Sequence, residues 1–303
     1  MISRHPLSVL PGLLVWIGPL LPAAICQDEP TLSDRLAAAV SWWDRPDAPG
    51  IAVAVRRGDE VLLRKGLGRA SLEFDAPITP ETIFHVASVS KQFTAFAVSL
   101  LADEGRLSWE DDVREHLPAV PDLGAPISLR QLANHTSGLR DQWELLVLAG
   151  WRMDDVITLG HVLDLVARQR ELNFPPGSQE LYCNTGCTLL AQVVEAVSHR
   201  SFPDFCEERI FRPLGMKRSH FHDDHTHIVA GRAYSYAPSP TGFRNSVLSY
   251  SLAGATSLFT TVDDLLRWNE NFETHRVGSP RVFDWMLERG TLTSGETLDT
   301  AKG

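Results

Sequence analysis

The strongest constraint on the fold is the order of the apolar patterns along the chain. Residues 51–55 and 61–63 are short apolar runs, and a polar turn that contains Gly58 separates them. Two such runs around a tight turn predict a β-hairpin. Elsewhere, apolar residues recur every three or four positions, which predicts helices. These predicted helices cover residues 32–43, 88–104, 159–168, 188–197, 202–211, 262–272 and 281–287. We therefore predict a mixed α+β protein.

The size and charge of the chain narrow the classes of partner that it can have. Its 303 residues, 44% of them hydrophobic, suffice for one large domain or two closely packed ones. Acidic residues outnumber basic ones by 38 to 28, which gives a net charge of −10. Because a nucleic acid requires a basic face, we expect no nucleic-acid partner. The composition does not predict an oligomeric state.

The N-terminal segment has the pattern of a secretory signal peptide. A short basic start precedes a run of apolar residues from 7 to 25, and polar residues follow from Gln27. Proline and glycine interrupt the run, which makes it a poor membrane span. We predict a signal peptide at 1–26, a mature domain at 27–303, and a secreted or periplasmic location. Lipid attachment at Cys26 is an alternative, and beyond such an anchor we expect no membrane association.

Two segments contain residue types that bind metals, but neither has the spacing of a metal site. Cys183 and Cys187 form a CxxxC pair without a second pair, so we interpret them, with Cys206, as buried small apolar residues. The segment 220–227 is rich in histidine, and its surroundings favour a solvated surface loop over a zinc site. We therefore predict no metal site and no cofactor.

Ser88 and Lys91 are the candidates for nucleophilic catalysis. They lie three residues apart at the start of a predicted helix, so their side chains share one face. A serine hydroxyl is a poor nucleophile until a neighbouring base takes its proton. Unpaired N–H groups at the helix start would also stabilise an oxyanion beside Ser88. Of the four lysines only Lys91 follows a serine by three residues, although this spacing alone is also typical of a helix cap followed by a solvated lysine.

Tyr182 and Asn184 form the second candidate element. Residues two apart on an extended chain point the same way, so a phenol and an amide can face one cleft. A tyrosine near an ammonium group is able to act as a general base. The alternative is a core tyrosine followed by an asparagine that caps a helix beginning near Gly186, and both interpretations are compatible.

Several segments, in order, resemble the family of class C β-lactamases, D-alanyl-D-alanine carboxypeptidases and related esterases. Residues 83–95 (IFHVASVSKQFTA) resemble its active-serine segment, residues 132–139 (LANHTSGL) its HTSGL stretch, and residues 176–186 (PGSQELYCNTG) its PG…YxN segment. Two further segments follow in the order that the family has: residues 214–216 (LGM), and residues 253–268, which begin with AG and end with DLLRW. The likeness extends from about residue 35 to about residue 290.

The resemblance implies a serine β-lactamase-like fold, in which helices flank an antiparallel sheet and a helical subdomain is inserted between sheet segments. It implies a serine hydrolase in which Ser88 is acylated, Lys91 and Tyr182 share the proton transfers, and Asn184 helps to hold the substrate. The implied substrate is a small molecule or a peptide. Whether it is a β-lactam, a D-Ala peptide or a small ester stays open.

The sequence departs from the family near its C-terminus. The family has a Lys or His, a short residue and Gly on a late sheet strand, and after Trp268 only Ala301-Lys302-Gly303 comes near this pattern. We expect the C-terminal strands of the sheet to be missing through truncation, with activity impaired. A penicillin-recognising binding protein without turnover is the alternative function that this absence favours.

His135 is the remaining candidate for catalysis. It lies in a loop rich in Ser, Thr and Gly, where a histidine invites comparison with a Ser–His–Asp triad. The chain has no GxSxG segment, which is the usual setting of such a triad in an α/β-hydrolase. We therefore predict a local structural role for His135.

Overall fold

The computed structural model describes residues 29–301. The predicted signal peptide at 1–26, the alternative lipid site at Cys26, and Lys302 and Gly303 lie outside this range. Between residues 29 and 301, no helix combines the length and the apolar character that a membrane span requires.

Helices account for most of the regular structure. They are α1 (Leu32–Val40), α2 (Ser90–Asp103), α3 (Val113–His116), α4 (Leu129–Ala133), α5 (Gln142–Leu148), α6 (Leu159–Ala167), α7 (Asn184–Ser198), α8 (Phe202–Cys206), α9 (Arg212–Leu214), α10 (Val262–Thr274) and α11 (Pro280–Leu287). A π-helical turn at Glu207–Phe211 joins α8 to α9, so the helix predicted over 202–211 is one continuous but irregular segment.

The strands are short and form six small sheets within residues 29–301. They are β1 (Ile51–Arg57), β2 (Glu60–Leu67), β3 (Arg69–Ser71), β4 (Ala76–Pro77), β5 (Phe84–His85), β6 (Val156–Thr158), β7 (His220–Phe221), β8 (Tyr236–Ser239), β9 (Gly242–Asn245), β10 (Ser249–Ser251), β11 (Leu258–Thr260), β12 (Arg289–Thr291) and β13 (Thr297–Ala301). The antiparallel pairs are β1–β2, β3–β4, β8–β9 and β12–β13, the parallel pair is β6–β10, and the three-stranded sheet has the order β5–β11–β7.

The predicted hairpin and most of the predicted helices are confirmed. Strands β1 and β2 pair from Ile51 opposite Leu67 to Arg57 opposite Glu60, with a register shift between Val55 and Arg56 that leaves Leu62 of β2 without an opposite residue. Helix α7 begins at Asn184 rather than at residue 188, because the polar residues Asn184 and Thr185 belong to its first turn. The fold is thus α+β, as predicted.

Two strands that the sequence analysis did not predict follow the helix ending at Leu287. Strands β12 and β13 form a hairpin there, around a turn in which Gly295 has φ +89°. A Ser-Gly turn between threonine-containing runs is a hairpin pattern, although a weak one. The hairpin extends neither β1 nor β2; its Thr293 N–H instead donates to the Gly177 carbonyl at 2.9 Å. Between residues 29 and 301, β1 and β2 therefore have only each other as partners.

Helix α2 lies at the centre of the core. Its side chains are buried on nearly every face, as in a helix of a protein interior. Helix α7 packs along it, and the rings of Phe93 and Phe96 lie 4.2 and 5.0 Å from the Trp268 ring of α10. Burial of each phenylalanine contributes about 1.5–3 kcal/mol. This packing fixes the position of the residues at the start of α2.

Gly254 allows a third segment to approach α2 and α7 closely. A Cβ atom at this position would lie 2.7 Å from both the Ala191 Cβ and the Cys187 carbonyl oxygen, and its φ is +108°. Only glycine fits both constraints. The Gly254 carbonyl accepts a hydrogen bond from Thr94 Oγ1 at 2.8 Å. The segment before β11 is thereby fixed against both helices.

Candidate active site

Ser88 lies on a strained turn that leads into α2. It is the middle residue of a 3₁₀ turn, Ala87–Val89, and its side chain is exposed. Ala87 has φ +46°, which is unfavourable for a residue with a Cβ. Ser90 holds the turn, because its hydroxyl donates to the Ala87 carbonyl and accepts from the Leu258 N–H of β11. The Ser88 N–H is one of the amides at a helix start that have no acceptor within their own helix.

Lys91 is a buried cation whose ammonium hydrogens all have acceptors. The residue is 1% exposed. Its Nζ donates to Ser88 Oγ at 3.0 Å, to Asn184 Oδ1 at 2.9 Å and to the Ala255 carbonyl at 2.8 Å. An ammonium group has three hydrogens to donate. The position of Nζ beside the serine hydroxyl is therefore fixed from three directions.

Tyr182 completes the surroundings of the serine hydroxyl. Its Oη donates to Ser88 Oγ at 2.8 Å. Lys91 Nζ lies 4.9 Å from the centre of the Tyr182 ring, within the range of a cation–π contact. Tyr182 is 51% exposed, so the phenol and Ser88 both remain open to solvent. The predicted nucleophile and its two proton-transfer candidates are thus mutually hydrogen-bonded or in contact.

Asp141 is a site residue that the sequence analysis missed. It caps α5, accepting from the N–H groups of Trp143 and Glu144. Its Oδ2 also accepts from the Asn184 backbone N–H at 2.6 Å and from Asn184 Nδ2 at 2.8 Å. A carboxylate only accepts, so it holds the amide nitrogen of Asn184 toward itself and the amide oxygen toward Lys91. The pattern of an Asp before a helical run predicts the cap, but not the contact with Asn184.

Asn184 therefore uses both ends of its side chain within the protein. As the first residue of α7 it follows the extended Cys183, which agrees with the predicted extended geometry of residues 182–184. Its amide oxygen binds Lys91, and its amide nitrogen binds Asp141. The structure gives Asn184 a role in orienting Lys91; its contact with substrate stays a prediction.

His135 supports the tyrosine from the side. It has φ +59° and is buried. Its carbonyl accepts from the Leu181 N–H at 2.9 Å, its Nδ1 accepts from the Cys183 N–H at 3.2 Å, and its ring lies 4.5 Å from that of Tyr182. Burial, together with the charge of Lys91, lowers the pKa of His135. A neutral Nδ1 acceptor agrees with that direction, and these contacts are the structural role that the sequence predicts.

The cysteines are buried and free, as predicted. Cys183, Cys187 and Cys206 have no disulfide partner within the described range. Burial raises the pKa of Cys183 to about 11 and that of Cys187 to about 12. Both thiols are therefore neutral at physiological pH, and neither is an activated nucleophile.

The histidine-rich segment 220–227 is only partly the surface loop that the sequence predicts. His220 belongs to β7, and His222 is buried against β11. The segment becomes exposed from Asp223 to His227. Within residues 29–301, no group of three or more His, Cys, Asp or Glu side chains is arranged to hold a metal ion.

Comparison with known proteins places the chain in a family. A family profile described as Beta-lactamase matches residues 36–302. The chain therefore belongs to the β-lactamase family, in agreement with the resemblance found in its sequence.

Three relatives illustrate the comparison. A D-aminopeptidase from Gluconobacter oxydans is 29% identical over 269 residues, which are 88% of this chain and 50% of that protein. A D-aminopeptidase from Brucella canis is 32% identical over 251 residues, which are 78% of this chain and 46% of that protein. The structure of the octameric penicillin-binding protein homologue from Pyrococcus abyssi superimposes with a TM-score of 0.73 at 25% identity, covering 85% of this chain and 59% of that one. The chain spans about half the length of the curated relatives that it matches.

Proposed function

We propose that this chain is a serine hydrolase that cleaves an amide through an acyl-enzyme on Ser88. The observation that carries the proposal is the surroundings of Ser88 Oγ, which accepts hydrogen bonds from Lys91 at 3.0 Å and from Tyr182 at 2.8 Å. An exposed hydroxyl within hydrogen-bond distance of an amine and a phenol, either of which is a base once it has lost its proton, is expected for an activated nucleophile. A turn with a purely structural role has no need of this arrangement.

The geometry supports a two-step mechanism. In the reacting form one member of the Lys91–Tyr182 pair has given up a proton and is a neutral amine or a phenolate. Ser88 Oγ attacks the substrate carbonyl carbon, and its proton passes to that member of the pair. The negative charge on the substrate oxygen develops near the N–H groups at the start of α2. The same pair then protonates the leaving amine, which departs and leaves an ester on Ser88. Water activated by the pair hydrolyses this ester and restores the free hydroxyl.

We propose a D-configured amide as the substrate, because the two relatives described above from Gluconobacter oxydans and Brucella canis are both named D-aminopeptidases. A β-lactam and a small ester are the other two substrates to which the same chemistry applies. In all three a serine attacks a carbonyl carbon, and the bond from that carbon to a nitrogen or an oxygen breaks as the nitrogen or oxygen takes a proton.

The test measures chromophore release and protein mass with four substrates: the p-nitroanilides of D-alanine and L-alanine, a chromogenic cephalosporin and p-nitrophenyl acetate. We expect the D-anilide to react faster than the L-anilide, and Ser88→Ala to abolish release and the acyl adduct. Ser294→Ala, which changes an exposed serine in the β12–β13 turn, is the control. Release that survives Ser88→Ala, or no release above that variant from any of the four substrates, would contradict the proposal. A stable adduct with release of no more than one equivalent of chromophore would identify a binding protein without turnover instead.

A further inference from the structure

A small cavity lies beside β11, close to the segment that holds Lys91 but separate from the exposed side of Ser88. Its walls include His85, His222, Arg232, Ser257 and Phe259. Its volume is about 10 Å³. That is room for about one particle of the size of a water molecule.

Three buried polar atoms that belong to residues lining the cavity have no hydrogen-bond partner among the described residues. They are His222 Nε2, Arg232 Nε and Ser257 Oγ. His222 is 5% exposed and Ser257 is 1% exposed. Buried polar atoms in proteins are nearly always hydrogen-bonded. Three unpartnered atoms around one cavity therefore indicate a ligand that completes them.

The three atoms are suited to donating hydrogen bonds. Arginine Nε only donates, and the serine hydroxyl has one hydrogen to donate. His222 Nδ1 lies 3.4 Å from His220 Nε2. When the His220 nitrogen is the donor in that pair, the hydrogen of a neutral His222 is on Nε2, the atom that has no partner among the described residues. A particle that accepts from all three atoms fits this arrangement.

The electrostatics favour a negative particle over a neutral one. Arg232 lies over the Phe259 ring at 5.0 Å, and within residues 29–301 no carboxylate forms an ion pair with it. Burial is the main cause that lowers the pKa of both His85 and His222 to about 4, and the charge of Arg232 lowers it further. Asp224 acts on His222 in the opposite sense but is exposed. The cavity is thus lined by two histidines that are neutral at neutral pH and by a partly exposed arginine that has no ion-pair partner within residues 29–301.

The backbone of Ser257 is fixed in a conformation that costs energy. Its φ is +74°, in the left-handed region that favours glycine. Its N–H donates to His85 Nε2 at 3.2 Å, and its carbonyl accepts from the His222 N–H at 2.8 Å. These bonds hold Ser257 at the cavity. They also fix the chain two residues after Ala255, whose carbonyl binds Lys91.

We propose that this cavity binds a single monatomic anion of the halide class through Arg232, Ser257 and His222. The size of the cavity favours one atom over a carboxylate or a phosphate. The site lies outside the catalytic groups, and its existence does not depend on the hydrolase function proposed above.

Chloride NMR line width tests the proposal directly, because exchange with a protein site broadens the line of free chloride. We expect the purified protein to broaden the line, and added bromide to remove that excess by competition. Arg232→Met and Ser257→Ala should both lose the bromide-sensitive excess. Arg244→Met removes an equal charge from the exposed strand β9 and should retain it.

The outcomes separate an anion site from a cavity that holds water. No bromide-sensitive broadening by the unaltered protein overturns the proposal. Retention of the excess in Arg232→Met or in Ser257→Ala also overturns it, and so does its loss in Arg244→Met. Thermal unfolding of each variant shows whether it is folded. If Arg232→Met does not fold, Ser257→Ala decides alone, since it removes one hydroxyl and leaves the charge unchanged.

Discussion

Two regions of the molecule hold Lys91, and they do so with different chemistry. On the helical side, the amide oxygen of Asn184 accepts from Nζ, and the Asp141 carboxylate orients that amide. On the sheet side, the backbone carbonyl of Ala255 accepts from Nζ, and His85 fixes the following two residues. The helical-side support consists of two side chains, the Asn184 amide and the Asp141 carboxylate. The sheet-side support is the Ala255 backbone carbonyl, and the imidazole of His85 fixes the residues that follow it.

The difference teaches that the two supports fail in different ways. The helical side depends on a group that only accepts, so a substitution that adds a donor there turns the Asn184 amide around. The sheet side depends on a neutral His85, whose Nε2 accepts from Thr256 Oγ1 at 3.0 Å and from the Ser257 N–H at 3.2 Å. A proton on that nitrogen removes the bond from the Ser257 N–H and requires Thr256 Oγ1 to accept instead of donate. The helical support is thus sensitive to substitution and the sheet support to acid.

Removing the group that both regions support has the largest expected effect. Lys91→Met keeps the length and the apolar stem of the side chain but leaves Ser88 without its ammonium neighbour. We expect acylation of Ser88 to slow by about 10²–10⁴-fold, the usual contribution of a proton-transfer group. Stopped-flow release of p-nitroaniline measures it. Lys65→Met, on the exposed part of β2, is the matched control. Equal rates for the two variants would show that neither region serves catalysis through Lys91.

The local part of this arrangement follows from the sequence, and the distant part does not. Ser88 and Lys91 share one helical turn, and Tyr182 and Asn184 share one extended segment, so spacing alone brings each pair together. Asp141 is 43 residues from Asn184, and no periodicity relates them. Ala255 is 164 residues from Lys91 and contributes a carbonyl that every residue has. Side-chain identity therefore carries no signal for the sheet-side support.

Long elements of the fold were also predictable from the sequence, and short ones were not. The hairpin β1–β2 and the longer helices have enough residues for a period to be visible, and they were predictable. Strands β5, β7 and β11 have two or three residues each, which is too short for alternation to be recognised. Their sheet forms only because the surrounding helices bring the three segments together. The hairpin β12–β13 was missed because its two strands, Arg-Gly-Thr and Thr-Leu-Asp-Thr-Ala, contain few apolar residues.

Substitution on the helical side should have the second largest effect. Asp141→Asn lets the Asn184 amide turn around and present its nitrogen to Lys91. The lost hydrogen bond involves a charged group and is worth about 1.5–3 kcal/mol. We therefore expect kcat/KM to fall about 10–150-fold, chiefly in kcat. Steady-state kinetics on the fastest substrate measures both constants.

A second variant distinguishes positioning from a general loss of structure. In the double variant Asp141→Asn with Asn184→Asp, the carboxylate is at position 184 and faces Lys91. The amide is at position 141, and its nitrogen donates to that carboxylate. We expect this exchange to recover at least part of the activity, so that the two substitutions are strongly non-additive. Additive losses would mean that Asp141 acts only as the cap of α5.

Acid should weaken the sheet side first. Because burial lowers the pKa of His85 to about 4, below the ordinary value near 6.5, the unfolded chain binds more protons between these pH values. The stability from neutral His85 is fully present above pH 6.5 and decreases as the pH falls toward about 4, by up to about 1.4 kcal/mol per pH unit. Urea unfolding at pH 7, 6 and 5 measures this slope. His85→Gln keeps a hydrogen-bond acceptor but cannot titrate. It should reduce the pH dependence of the free energy of unfolding by the contribution of one titrating group.

Two features of the design isolate His85. The pKa of His222 is also lowered to about 4, so part of the slope should remain in His85→Gln. His199→Asn changes an exposed histidine at the end of α7 that already has a left-handed backbone, and it should leave the slope unchanged. If His85→Gln has the same slope as the unaltered protein, the sheet-side support does not depend on the charge of His85.

The smallest effect is expected where only one of the two bonds to His85 is removed. Thr256→Val keeps the shape of the buried side chain and deletes the hydroxyl that contacts His85 Nε2. The Ser257 N–H still occupies that nitrogen, so no acceptor is left without a donor. We expect a loss of about 0.5–1.5 kcal/mol in the free energy of unfolding at pH 7. The pH slope should be retained, because His85 stays buried. Thr291→Val, at an exposed position of β12, should change stability by less than about 0.5 kcal/mol. A loss from Thr256→Val above about 3 kcal/mol would show that the sheet-side support fails when either bond is removed.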